Sequence, residues 1–193
     1  MNAALNLTTP WRAAAVAALA LAAALPAAAK LPVVDTTISE AEVLAAQQAW
    51  GDALVAIGKA HQGQGVAAAK ALAGQVIDSA YAYQFGPVLF KPTLTVAPHT
   101  FRITREGALA YFVGGDAAYP MDTGFALKGW QQVEVRNVAM FIAADTATTM
   151  GNVTFTDRDG KRTTVDKTWQ FRKDDSGRLR IVVHHSSLPY VGP

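Results

Sequence analysis

The chain has 193 residues, 51% hydrophobic and 17% charged, with no cysteine and a formal net charge of +2. One ordinary domain fits that length. The missing cysteine excludes a disulfide scaffold, a thiolate zinc site and a cysteine nucleophile, and the near balance of 17 basic against 15 acidic residues gives no electrostatic case for a nucleic-acid partner.

Residues 1–29 carry a single charge, Arg12, ahead of the unbroken apolar run Ala13–Leu25, then Pro26 and Ala27-Ala28-Ala29. A basic start, a short apolar stretch and a small-residue cleavage site describe a secretory signal peptide, and the run is too short to cross a bilayer. Cleavage after Ala29 leaves a single domain, 30–193, at about 46% hydrophobic, an ordinary globular value. The expected location is periplasmic or secreted, with no membrane anchor once the signal is removed.

Ser39-Glu40-Ala41-Glu42 reads as a capping box, and Val43, Ala46, Trp50, Leu54 and Ile57 follow at helical spacing, to an end near His61. A second helix is expected over about 66–83, stopped by Gly86-Pro87. Residues 88–96 read as an extended segment that Pro92 confines to an edge. Thr104 caps a short helix, 105–113, closed by Gly114-Gly115, before a long loop over 114–129. Four strands then follow, at about 130–142, 146–156, 162–173 and 178–187, parted by turn residues as an antiparallel meander. Helices first and a curved sheet afterwards is α+β.

Pairing Trp169 with Ile181 in the last hairpin gives an apolar face of Val165, Trp169, Phe171, Leu179, Ile181 and Val183. The other face carries Asp166, Thr168, Val182, His184 and Ser186, with His184 opposite Asp166 and with His185 and Ser187 pointing away. An imidazole beside a carboxylate and hydroxyls suits proton relay, and it equally suits a solvated sheet face. Metal signals are weak. His184 and His185 are adjacent and point apart, His61 and His99 are distant, and Asp157-Arg158-Asp159 is a turn with only a faint likeness to a calcium loop. No Gly-x-Ser-x-Gly elbow or phosphate-binding glycine spacing occurs.

Asp166-Lys167-Thr168-Trp169, Phe171-Arg172-Lys173, Gly177 and His184-His185-Ser186-Ser187-Leu188-Pro189 resemble the calcium/calmodulin-dependent kinase II association-domain group of the NTF2-like superfamily. The blocks at 46–58, 80–95, 101–116, 122–130 and 145–161 narrow the resemblance to the iota-class carbonic anhydrases, including metal-free members. That resemblance implies an NTF2-like cone of helices packed into a curved sheet, a homodimer joined by sheet faces, and reversible hydration of carbon dioxide to bicarbonate. It also implies a pocket without a cofactor in which Thr93, Tyr111, His184 and Ser186 hold the anion. Thr95 and His185/Ser187 are the alternatives if a strand is bulged, and zinc and manganese stay open because the class varies in metal use. In such a pocket Tyr111, with a lowered pKa, or His184 would take the proton, and Phe112, Phe125 and Val182 would keep carbon dioxide dry. A non-catalytic module that binds a small anion, or joins an assembly, is the alternative function.

Overall fold

A computed structural model describes Val33 and residues 35–192, so the expected signal peptide lies outside the described residues. Helix α1 (Glu40–Gln64) starts at the expected capping box: the Glu42 amide donates to Ser39 Oγ at 3.3 Å and the Ser39 amide donates to Glu42 Oε2 at 2.8 Å. Gly65, at φ 85°, breaks the chain before α2 (Val66–Ala80), which ends three residues earlier than its apolar spacing suggests. Helix α3 (Arg105–Val113) lies between the Thr104 cap and Gly114 as expected. Short 3-10 turns occupy Tyr83–Phe85 and Phe125–Leu127, the second inside the long loop.

The five strands are β1 (Leu89–Lys91), β2 (Trp130–Ala143), β3 (Thr146–Asp157), β4 (Arg162–Lys173) and β5 (Leu179–Ser187), in sheet order β1-β5-β4-β3-β2. Neighbours from β2 to β5 are antiparallel, and β1 joins β5 in parallel at the edge. Strand β1 is shorter than the expected 88–96 because Pro92 has no amide to continue the ladder. The chain turns instead, with Thr95 Oγ1 donating to the carbonyls of Pro92 and Thr100 at 3.3 and 2.9 Å. Thr95 therefore ties a loop together.

The helices pack their apolar sides onto one face of this sheet, and Trp50, Leu54, Ile77, Phe155, Trp169 and Ile181 are buried between the layers. The architecture is the α+β arrangement expected. A second, polar anchor joins the layers: Gln47 on α1 donates to Thr149 Oγ1 at 3.0 Å and exchanges amide hydrogen bonds with Asn137 at 3.1 and 2.8 Å. Asn137 stands beside a bulge in β2, where Gly151 is required: a Cβ there would lie 2.1 Å from the Arg136 carbonyl oxygen.

The last hairpin departs from the expected register in two steps. Its turn is longer than Asp175-Ser176-Gly177, because Asp174 Oδ1 accepts from the amides of Ser176 and Arg178 and holds residues 174–178 as one loop. Phe171 therefore pairs with Ile181 and Lys173 with Leu179, a slip of two that keeps every side chain on its face. Between Gln170 and Phe171 the ladder then shifts, since Gln170 pairs with Val183 and β5 spends one extra residue. This bulge reverses the alternation beyond it. His184 comes to stand opposite Trp169 and Ser186 opposite Lys167, both facing the core, and the expected pairing of His184 with Asp166 is wrong. Asp166 pairs with Ser187 and accepts from Asn152 Nδ2 at 2.9 Å. His185 is exposed, because the bulge turns it away from the apolar face on which the expected register placed it.

Candidate active site

The four residues singled out in the sequence meet. Thr93 after β1, Tyr111 on α3, and His184 and Ser186 on β5 line one small cavity of about 10 Å³, closed by Trp50, Phe90, Phe112, Phe125 and Phe155. The lining includes Phe112 and Phe125 as expected, but not Val182, which the β5 bulge places elsewhere. Lys167 also faces the cavity.

The hydrophobic wall comes from α3 and the turn at 125–127. Tyr111 stacks on Phe125, with ring centroids 5.4 Å apart, and meets Phe90 edge-on at 5.7 Å. Burial pushes the Tyr111 phenol well above its ordinary range, although the backbone at Leu94 and Thr93 acts in the opposite direction. Burial thus opposes the lowered pKa expected of Tyr111 as one of the two candidate bases, the other being His184. Tyr111 stays a neutral O–H donor.

His184 is enclosed by rings, with Phe90 4.2 Å, Trp50 5.4 Å and Tyr81 5.9 Å from its centroid. Burial holds its pKa well below 6.5, and the neighbouring Lys167 and His185 add to the effect. Both ring nitrogens have partners within the protein: Nδ1 meets the Tyr81 hydroxyl at 2.8 Å, and Nε2 is in close contact with Lys167 Nζ. Trp50 Nε1–H in turn donates to the Tyr81 oxygen at 2.9 Å. A polar chain thus runs from α1 through Tyr81 and His184 to β4.

Lys167 completes it. Its Nζ donates to Ser186 Oγ at 2.7 Å and lies over the rings of Trp50 and Trp169 at 4.7 and 4.8 Å. The Ser186 oxygen accepts from the lysine, so its own hydrogen is available to another acceptor. Lys167 is 5% exposed, and no carboxylate lies within ion-pair distance of it among the described residues. Lys167 and Tyr81 stand outside the four residues that the sequence singles out. The alternation that put Val165, Trp169 and Phe171 on one face put Lys167 there too, and a lysine inside an apolar row was the available signal.

Behind the pocket, the bend at 97–102 is joined to the long loop by the buried pair Arg102–Asp122, both side chains 2% exposed. The guanidinium donates to both Asp122 oxygens at 2.7 to 3.0 Å and also to the carbonyl of Phe101 at 3.2 Å. The loop is therefore pinned next to Tyr111 and is no open lid. Among the described residues no three histidine, aspartate or glutamate side chains gather as a metal site.

Comparison with known proteins gives this geometry its context. Residues 41–188 match the family model described as metal-independent carbonic anhydrase. A "Metal-independent carbonic anhydrase" of Nostoc sp. is 66% identical over 161 residues, 83% of this chain and 78% of the relative. A crystal structure of the iota-carbonic anhydrase from a cyanobacterium, complexed with bicarbonate, is 65% identical and superposes with a TM-score of 0.83, covering 85% of this chain and all of that one. The chain belongs to the metal-independent carbonic anhydrase family.

Proposed function

We infer that the protein catalyses the reversible hydration of carbon dioxide to bicarbonate without a metal ion, in the cavity between α1, α3 and β5. The observation that carries this is the convergence of three hydroxyls, Thr93, Tyr111 and Ser186, on one small aromatic-walled cavity, in a chain 65% identical to an iota-carbonic anhydrase seen with bicarbonate. Bicarbonate is a small anion with three oxygens, and three O–H donors match it. The same donors stabilise the charge that grows on carbon dioxide as water attacks, and the rings exclude bulk water, which strengthens those bonds. No metal lowers the pKa of the attacking water, so orientation and removal of its proton must supply the acceleration. His184, with both nitrogens occupied, acts as a positioning residue that braces the wall.

Stopped-flow hydration of carbon dioxide tests this, before and after exhaustive chelator dialysis and with Tyr111→Phe and Ser186→Ala. Activity should survive chelation and fall 10²-fold or more in each variant. Loss on chelation with recovery on adding zinc or manganese would refute the metal-free reading, and full activity in both variants would refute the site.

The signal-peptide pattern of residues 1–29 supports export to the periplasm or beyond, and sequencing the mature N-terminus would place the cleavage. A homodimer joined through the outer sheet face is supported by exposed Val138, Phe141 and Met150 on β2 and β3. Light scattering on the purified protein would test it.

A further inference from the structure

Hydrogen accounting along the buried chain fixes the protonation of its far end. Trp50 Nε1 has only a donor to offer and gives it to the Tyr81 oxygen. The phenol has one hydrogen of its own, and its other partner is His184 Nδ1 at 2.8 Å, so Tyr81 donates to Nδ1. A neutral imidazole that accepts at Nδ1 carries its hydrogen on Nε2. That N–H faces Lys167 Nζ, and only an uncharged amine has a lone pair to receive it. An ammonium at Lys167 would set its own N–H donors against that N–H with no acceptor between them. This arrangement therefore assigns Lys167 as an amine. Its burial, which pushes the lysine far below its usual range, acts in the same direction.

The groups around Nζ leave few rivals as bases. From β5 come His184 and Ser186, from α3 Tyr111, from the end of α2 Tyr81, from α1 and β3 only the rings of Trp50 and Phe155, and no carboxylate lines the cavity. Tyr111 and Tyr81 are held protonated by burial, and His184 Nδ1 is engaged. Thr93 and Ser186 are hydroxyls of negligible basicity.

We propose that Lys167 is the group that holds the proton released in hydration: an amine when the pocket is empty, an ammonium when bicarbonate is present. In the forward direction the water oxygen bonds to carbon, one C–O π bond shifts its electrons to oxygen, and a water proton passes to Nζ as the amine turns its lone pair from His184 Nε2–H towards the cavity, directly or by way of the Ser186 hydroxyl, which gives up its own hydrogen as it receives one. Carbon dioxide and water enter neutral, and bicarbonate and ammonium form as an ion pair, so the dry cavity keeps its net charge. In reverse, the ammonium returns the proton to the departing hydroxide. The facing His184 N–H makes the lysine refuse a proton until an anion compensates for it, and this couples proton and bicarbonate occupancy.

This rests on the pocket's taking bicarbonate, and the test separates the two readings. Lysine labelled with ¹⁵N in the full-length wild-type protein reports the Nζ state by NMR, with Lys167→Met identifying the resonance and sodium bicarbonate as the probe. The Nζ signal should be that of an amine near pH 7.5 and become that of an ammonium as bicarbonate is added. Lys167→Met should lower kcat about 10²–10⁴-fold, and Lys167→Arg, which cannot deprotonate, should not restore it. An ammonium signal without bicarbonate, an amine signal at saturating bicarbonate, or a Lys167→Arg variant with wild-type kcat would each overturn the proposal while leaving a hydrating enzyme intact. Absence of hydration by the wild type would instead overturn the proposed function itself.

Discussion

Replacing Tyr81 by phenylalanine removes one oxygen from the centre of the polar chain and nothing else. The ring is fully buried and keeps its stack on His184, at 5.9 Å and 12°, and its contact with Phe90. The lost hydroxyl leaves Trp50 Nε1–H without an acceptor and His184 Nδ1 without a donor, both deep in the core. Each stranded buried group costs about 1–3 kcal/mol, so the two together should cost about 2–4 kcal/mol after local relaxation. At about 2–4 °C per kcal/mol for a domain of this size, Tm should fall by roughly 5–15 °C. Urea unfolding followed by tryptophan fluorescence measures the loss. Tyr83→Phe is the control, because the Tyr83 hydroxyl makes a single bond, to the Arg102 carbonyl at 2.7 Å, and its removal should cost about 1 kcal/mol. A Tyr81→Phe protein within about 0.5 kcal/mol of the parent would refute the chain as a buried, mutually satisfied unit.

Stability should rise with pH from about 6 towards 10. Burial lowers the Lys167 pKa, so the unfolded chain, whose lysines titrate near 10.4, binds a proton that the folded protein does not; stability is complete above that value and is lost on acidification at up to about 1.4 kcal/mol per pH unit. The depressed His184 pKa adds a further loss below about 6.5; urea titrations flat from pH 6 to 9 would contradict the lysine effect, and the absence of any steeper loss below pH 6.5 would contradict the histidine effect. Asp122→Asn keeps the shape of the Arg102 partner but strands a buried guanidinium, which should cost about 3–5 kcal/mol. The double variant Arg102→Met, Asp122→Leu should lose less than either single change, and additive losses in that cycle would show that the two charges act independently.

Much of this fold is legible in the sequence because local chemistry and tertiary structure agree there. Ser39 and Glu42 cap a helix whichever sheet it meets, and Gly114 ends α3 after nine residues for reasons within the turn itself. Strands β2 to β4 begin and end within one residue of the boundaries set by their β-branched runs and turns. That Thr93, Tyr111, His184 and Ser186 line one cavity was legible through the resemblance, but the hydrogen-bond wiring around them was not. A bulge leaves no mark in a pattern of apolar and polar residues, and Val182 and Val183 fit either face. Arg102 and Asp122 are twenty residues apart in polar-looking loops, where nothing local announces a buried pair. Lys167 reads as an ordinary surface lysine until its neighbours at 165 and 169 are weighed with it.

The extra residue in β5 makes the cavity wall depend on a count and not on an identity. From Gly177 to His184, exchanging one small apolar residue for another leaves the inward positions where they are. Losing a single residue there would restore strict alternation, turn His184 and Ser186 out to the solvent and leave Lys167 facing a gap. Lineages of this enzyme should therefore tolerate substitution at Val182 and Val183 while excluding single-residue insertions and deletions, the reverse of what surface strands usually permit.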